Sequence, residues 1–480
     1  MAKKISGLDP AGTLTGQEFF EAVQKGNSVK VTADQIATHA LGRFNPKIWG
    51  IRKQSGSASI FWERINPEMH AERRVHKQCG RYLEDSNANI IDLHPTDSRK
   101  SFSGASVDLT GSQGNVWWRK PAYYFKAEIV QATDGLWYEY QWMSDNYFDG
   151  ATYMKERSCS PWHMVVNRAT SVAASLSFLT WNNDGSIVRN GNGFPVYTAN
   201  ATTYRGGSNN AALDGTASSM LGMGISVIDI NTARYFSRNA GAHCGWFSIL
   251  DEIRTLYRFE YACDDIQQGY NPTLDAYGNK QGGLGTGKSV GGEWGTFNGY
   301  HPFIPMGVTC PLGNQSGLVS YTIKDWGGAG IDKIIQVDSF LGLEILCEHI
   351  WTGAEDLLIY HDVAQNKVKA YYCDDPTKFA NPLSDSSVVV PIGYKHVCDM
   401  APTSGWMAAI SLPPLCLPTA VGGSPGLYVP DYYWAPPDSG WYTSGLGASA
   451  YDGSHAGLAS LAAYRRVSVA IAYWGFRLCR

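Results

Sequence analysis

The 480-residue sequence has no apolar run long enough for a membrane helix, no excess of either charge and no closely spaced cysteine pair. Without a span of about 18 apolar residues it has no candidate transmembrane helix, so membrane insertion is not expected. Its 39 basic and 43 acidic residues leave a net charge of −4, which gives no electrostatic reason to expect nucleic acid. The ten cysteines form no CxxC and are scattered from Cys79 to Cys479, so they are expected to be buried thiols and not a disulfide framework. Met1-Ala2-Lys3-Lys4-Ile5-Ser6-Gly7 leads into polar residues, where a signal peptide would be apolar. No repeat supports a solenoid.

Aromatic residues and glycine are plentiful: 16 Trp, 27 Tyr, 17 Phe and 52 Gly. Together they point to short strands, tight turns and broad contact surfaces. With 44% hydrophobic and 17% charged residues the chain can build cores, and its length suits two to four domains. The expected class is multidomain, mainly β and α+β.

Three units are expected: residues 1–43, 44–164 and 165–480. In the first, Thr15 and Glu18 have the spacing of a capped helix start, with Phe19, Phe20 and Val23 as its apolar stripe. Val29–Val31 then reads as a strand and Thr32–Ala37 as a second short helix. In the second unit, Ser57–Trp62, Ser106–Leu109 and Tyr123–Val130 read as strands. Asp134-Gly135 is a turn signal, so Tyr123–Trp142 is expected to be a β-hairpin. Trp137, Glu139 and Gln141 would face one way, and Tyr138, Tyr140 and Trp142 the other. This aromatic hairpin suits a core, a subunit interface or a binding surface.

In the third unit Val172–Leu179 is a short apolar run. The strongest helix signal is Trp246–Ala262, where Ile249, Leu250, Ile253, Leu256, Tyr257 and Tyr261 keep a 3.6-residue period. Asp251, Glu252, Arg254 and Arg258 take the other faces. Tyr360, Val363, Val368, Ala370 and Tyr372 fit later strands.

Few motifs carry chemistry. Gly282–Ser289 satisfies the phosphate-loop pattern, but neither an apolar strand before it nor a helix directly after it is expected, so it reads as a flexible loop. Adjacent Cys347, Glu348 and His349 point apart and make a poor metal cluster; His349 reads as a hydrogen-bonded core or loop residue. Asp264 with Asp265, and Asp374 with Asp375, read as solvated turns. No HExxH and no compact sugar-binding Glu-Pro-Asn or Gln-Pro-Asp triplet is present.

The last forty residues are distinctive. Trp441-Tyr442-Thr443-Ser444-Gly445-Leu446-Gly447 opens the segment, and Tyr473-Trp474-Gly475-Phe476-Arg477-Leu478-Cys479-Arg480 closes it. Between them, small, hydroxyl and aromatic side chains stand on a glycine-punctuated frame. If 468–474 is extended, Val469, Ile471 and Tyr473 share one strand face, while Ser468, Ala470, Ala472 and Trp474 share the other. One face could then vary while the other packs; the alternative is that all three apolar residues bury against a helix.

This pattern resembles the C-terminal variable region of phage receptor-binding proteins diversified by a retroelement, built on a C-type-lectin-like fold. Gly342–Trp351 resembles a core segment shared by that fold group and formylglycine-generating enzymes. Residues 1–43 resemble the particle-attachment segment of tail-fibre proteins. The resemblance implies a C-terminal C-type-lectin-like domain and no catalysis, since paired active-site cysteines are not recognisable. It implies Ser449, Tyr451, Asp452, Ser454, His455, Ser460, Ala463, Tyr464, Val469, Ile471 and Tyr473 as changeable receptor-contacting positions. The frame would be Gly440, Trp441, Gly445, Gly447, Gly457, Gly475, Phe476, Arg477 and Leu478. It further implies a bacterial surface receptor, protein or glycan, phage baseplate or tail proteins as partners, a homotrimer, and a place on the virion tail after synthesis in the host cytoplasm. No cofactor is expected, and calcium is left open because distant carboxylates and carbonyls can combine. The rival readings are a fixed-specificity glycan-binding adhesin, an enzyme on the related fold and a structural tail component.

Overall fold

The computed structural model describes residues 19–24, 27–32, 47–285, 287–328, 330–345, 347–379, 383–385 and 389–480. The architecture is mostly β, in part α+β, and is divided among several sheets. An antiparallel five-stranded sheet contains the hairpin Tyr123–Gln131 with Trp137–Ser144, flanked by Ile48–Gln54 and Thr152–Met154. Trp137 pairs with Gln131 and Ser144 with Tyr124 across the hairpin, the register that a turn at Asp134-Gly135 imposes.

A seven-stranded sheet includes Gly80–Glu84, Asn115–Lys120 and Arg157–Cys159 and takes in the chain's final strand, Leu478–Cys479. Residues far apart in sequence are thereby joined across the boundary between 164 and 165. The largest sheet has nine strands, with Trp351–Asp362, Gly440–Leu446, Leu461–Arg466 and Val429–Trp434 side by side at its centre.

The expected helix is present as Phe247–Tyr261, but its charged faces do not meet solvent: all of its residues except Leu250 are buried. Asp251 pairs with Arg254 at 2.6 Å, Arg258 with Asp264 at 2.6 Å, and Glu252 with Lys120 at 2.8 Å. Asp264 also receives Lys53 at 2.9 Å and the Trp62 indole N–H at 2.9 Å. Lys53 and Lys120 come from the strands Ile48–Gln54 and Asn115–Lys120, so the helix and the Asp264 that follows it tie both smaller sheets together. At the helix start, the Asp356 carboxylate accepts N–H bonds from Phe247 and Ser248 at 2.5 and 3.1 Å, satisfying donors that a helix leaves open. One hydrophobic cluster runs from Trp49 through this helix to Cys479.

Several expectations are corrected. Phe19–Gln24 is a strand, not a helix, and pairs with Asn27–Thr32; a helix this short has a costly nucleus, whereas pairing engages every residue. Thr15 and Glu18, and the helix expected after Thr32, lie outside the described residues. Ser57–Trp62 is not a strand apart from a single bridge at Phe61 to Cys263. There the Ser57 and Ser59 hydroxyls accept the N–H groups of Ser59 and Phe61, a local bond that competes with a ladder. Ser106–Leu109 contributes one bridge, Ser106 to Lys100, because Asp108 caps a turn through Thr110 N–H at 2.7 Å. Val363 falls in the one-turn helix Val363–Gln365 capped by Asp362. Asp264 and Asp265 are buried, not solvated. Residues 468–473 are turn and irregular backbone, and the strand begins only at Trp474.

Among the described residues no helix is long and apolar enough to cross a membrane.

Candidate recognition face

The site grows from the parallel pairing of Val429–Trp434 with Leu461–Arg466, in which Tyr433 meets Leu461 and Trp434 meets Ala462. Alternation buries Asp431 and Tyr433 on one side and leaves Tyr432 and Trp434 half-buried on the other. Gly405–Ile410 pairs on the outer edge and sets Trp406 opposite Tyr432. The one-turn helix Gly453–His455 lays His455 over these rings, with centroids 4.3 Å from Tyr432, 4.8 Å from Trp406 and 5.8 Å from Trp434. Trp351, itself stacked on Trp474 at 6.0 Å, meets Trp434 edge-on at 5.1 Å from below.

A second group of rings lies beyond Asp452. Tyr451 contacts Tyr300 at 6.0 Å, and Tyr300 contacts Tyr473 at 6.2 Å, both edge-to-face. Arg465 lies 4.3 Å from the Tyr464 ring centroid and donates to the hydroxyls of Tyr464 and Tyr473. The Asp452 carbonyl accepts His455 N–H at 3.1 Å, and its carboxylate accepts the Ser449 N–H and hydroxyl at 2.7 Å. Burial raises the Asp452 carboxyl above its ordinary value, and burial lowers His455 while Asp452 opposes that shift. The Tyr464 hydroxyl is pushed up to about 12 by burial.

The frame beneath is separate and tight. A Cβ at Gly457 would stand 1.7 Å from Asp431 Oδ1, and one at Gly445 would stand 2.2 Å from the Trp474 ring. Asp431 Oδ2 accepts Ala459 N–H at 2.7 Å, and burial pushes this carboxyl up to about 8. The buried Arg477 guanidinium donates to the carbonyls of Ser160, Glu344 and Ile345 at 3.0, 2.6 and 3.1 Å. That binds the chain's end to segments more than a hundred residues away. Trp441, Phe476 and Leu478 are buried, while Gly440 and Gly447 have φ of +129° and +89°, which favour glycine. Gly475 is packed against Ile350.

Of the positions expected to be changeable, Tyr451 is 59% exposed and Ser454 is also exposed. Asp452, His455, Tyr464, Val469, Ile471 and Tyr473 are half-buried. Ser449, Ser460 and Ala463 are at most 3% exposed and offer no outward surface. Ser449 Oγ donates to Asp452 Oδ2 at 2.7 Å and Ser460 Oγ to the His455 carbonyl at 2.5 Å, so both brace the loop from within. The shared strand face of Val469, Ile471 and Tyr473 does not form, since that segment is irregular and not a strand. Ile471 and Tyr473 instead pack their sides against the core. Trp406, Tyr432, Trp434, Tyr300 and Arg465 were not anticipated. The alternation of Tyr432 and Trp434 was the available signal.

Other candidates resolve as structure. His349 Nε2 accepts the N–H groups of Phe303 and Ile304 at 3.1 and 3.2 Å, and burial holds it well below its ordinary value, neutral as an acceptor must be. Lys288 of the phosphate-loop pattern is buried against Asp338, and the next helix, Glu293–Asn298, has only six residues. Asp375 caps a turn through Thr377 N–H at 3.0 Å. Cys159 and Cys479 lie opposite each other across two strands, a pairing hidden in the sequence. Both are free and buried, and burial pushes the Cys159 thiol up to about 12 and Cys479 well above its ordinary value, so neither is a thiolate nucleophile near neutral pH. Among the described residues no three His, Cys, Asp or Glu side chains converge to hold a metal.

The arrangement offers ring faces, hydroxyls, one carboxylate and one guanidinium, a mixture suited to adaptable noncovalent contact. No protein-family profile matches the chain, and no curated protein matches it. Among solved structures it is similar to the Major Tropism Determinant U1 variant, at 9% identity and a TM-score of 0.20, over 89% of this chain and 82% of that one. It is also similar to the Major Tropism Determinant M1 variant, at 10% identity and a TM-score of 0.19, over 89% and 84% of the two chains. Both likenesses are weak.

Proposed function

We propose that this protein is the receptor-binding component of a phage tail tip, which recognises a bacterial surface receptor, protein or glycan, through the face around His455. The carrying observation is the separation of the displayed side chains from their support. Tyr451, Ser454 and the half-buried Asp452, His455 and Tyr464 stand over a frame held by Gly457 against Asp431 and by Arg477 on three carbonyls. Side chains can change on such a frame without loss of the fold. Trp406, Tyr432 and Trp434 lie before residue 441 and supply a constant aromatic floor beside the changeable positions.

On this reading residues 1–43 attach the protein to the tail, 44–164 link, and 165–480 form a C-type-lectin-like display unit. Diversification by a retroelement acts on the coding segment for 441–480. Assembly as a homotrimer multiplies weak contacts through avidity. The protein acts on the virion tail and performs no catalysis.

The test is to sequence the 441–480 coding segment from many sibling copies of the gene, with its flanking DNA. Substitutions concentrated at Tyr451, Asp452, Ser454, His455 and Tyr464, with Gly457, Phe476, Arg477 and Leu478 unchanged, are expected, beside a near-copy of the segment and a reverse transcriptase gene. An invariant segment without those neighbours would replace diversification with a fixed-specificity adhesin.

A further inference from the structure

We propose that the cavity between residues 190–202, residues 215–223 and the strand Gly317–Ile323 is a second binding site, which takes one neutral sugar ring. The cavity measures about 300 Å³, at the small end of the ~300–1,000 Å³ typical of small-molecule pockets. None of its lining residues belongs to the recognition face, and the inference does not rest on the receptor reading.

The walls are built by local structure. Bridges from Leu179 to Tyr197 and from Arg189 to Pro195 hold the first segment as a ribbon, and Thr198 N–H donates to the Phe178 carbonyl at 2.9 Å. Gly222 has φ of +71°, and a Cβ there would stand 2.4 Å from the Tyr197 ring. Only glycine lets that ring close the wall. Phe194, Tyr197, Phe303 and Tyr321 contribute aromatic surface to the lining.

The polar groups select the ligand. Thr198 Oγ1 is buried without a hydrogen-bond partner in the protein, a costly state that a ligand hydroxyl would relieve. Thr216 Oγ1 donates to the Leu213 carbonyl at 2.7 Å, which leaves its lone pairs able to accept. Lys324 in the lining and Arg189 next to the lining residue Asn190 are already engaged. Lys324 is paired with Asp332 at 2.6 Å, and Arg189 donates to the carbonyls of Gly193 and Thr322 at 2.7 and 2.9 Å. A phosphate or carboxylate ligand would have to displace those partners, and a pure hydrocarbon would leave the Thr198 hydroxyl unsatisfied. A pyranose presents an apolar C–H face to the rings and hydroxyls to Thr198 and Thr216, with no charge to neutralise.

The intact protein is titrated with glucose, galactose, mannose and N-acetylglucosamine by saturation-transfer NMR. At least one sugar is expected to bind in the millimolar range. Thr198→Val, which keeps the shape and removes the hydroxyl, should weaken it about fivefold, the factor of one neutral hydrogen bond. Ala217→Phe, which fills the cavity, should abolish binding, with circular dichroism confirming that the variant is folded. Failure of all four sugars to bind, or binding unchanged by Ala217→Phe, would overturn the proposal.

Discussion

In the hairpin of residues 123–144, neighbouring rings come from one strand: Tyr138, Tyr140 and Trp142 follow at every second residue, with centroids 6.3 and 5.8 Å apart. Around His455, rings at similar spacing come from three separate segments, 405–410, 429–434 and 453–455. In the hairpin row Arg52 lies 5.1 Å from the Tyr138 ring centroid and is held by Glu63 at 2.7 Å, and Tyr138 and Tyr140 are half-buried. Trp142 is buried. In the hairpin the rings therefore belong to the support. On the C-terminal face the support is Gly457, Asp431, Trp474 and Arg477; on the proposed reading His455, Tyr451, Tyr464 and Tyr473 are exchanged over it, while Trp406, Tyr432 and Trp434 stay constant.

This contrast can be broken most severely at the glycines. Gly457→Ala drives a methyl into the Asp431 carboxylate and is expected to cost about 3 kcal/mol or more in denaturant unfolding, the scale of overpacking with a displaced buried polar group. Gly135→Ala, at the hairpin tip with open space around it and φ of +83°, should cost only about 1 kcal/mol. Equal costs would dissolve the distinction between the two supports.

Ring removal should divide the same way. Trp142→Ala is expected to cost about 3 kcal/mol, the value for emptying a buried aromatic site. Tyr451→Ala should stay within about 0.5 kcal/mol, as an exposed substitution does. Chemical denaturation of both variants checks this pair.

A further effect concerns pH. The Asp431 carboxyl rises from an unfolded value near 3.8 to about 8 in the fold, so the folded state holds the extra proton. Its contribution is therefore neutral below pH ~4, and stability falls as pH rises toward 8. Asp265, Asp264 and Arg254 face it and modulate the shift. Asp431→Asn, whose carbonyl can still accept Ala459 N–H, is expected to flatten the decline in melting temperature between pH 5 and pH 8. An unchanged slope would remove Asp431 from the account.

What the sequence made legible was local. The Asp134-Gly135 turn fixed the hairpin register, and the 3.6-residue period located the helix at 247–261. It did not reveal that the helix's charged side chains are buried, because Lys120, the partner of Glu252, and Lys53, which shares Asp264 with Arg258, come from strands over a hundred residues earlier. Ser57–Trp62 and Ser106–Leu109 carried strand-like composition, but serine and aspartate side chains capture the backbone there. For the face, Tyr451 and His455 were readable as small-loop residues on a glycine frame. Alternation in Val429–Trp434 could have exposed Tyr432 and Trp434, but nothing local signals that His455 packs on them. The extended reading of 468–474 failed because period-two alternation also occurs in a turn held by distant partners, here Val227 N–H on the Ile471 carbonyl at 2.9 Å.

The most direct measurement compares binding of two labelled variants to a panel of bacterial cells: Tyr451→Ala/His455→Ala on the C-terminal face, and Trp137→Ala/Tyr138→Ala on the hairpin. The account predicts that cells bound by the unaltered protein lose at least tenfold affinity for the face variant and keep it for the hairpin variant. Loss confined to the hairpin variant would contradict it and move recognition to the aromatic row.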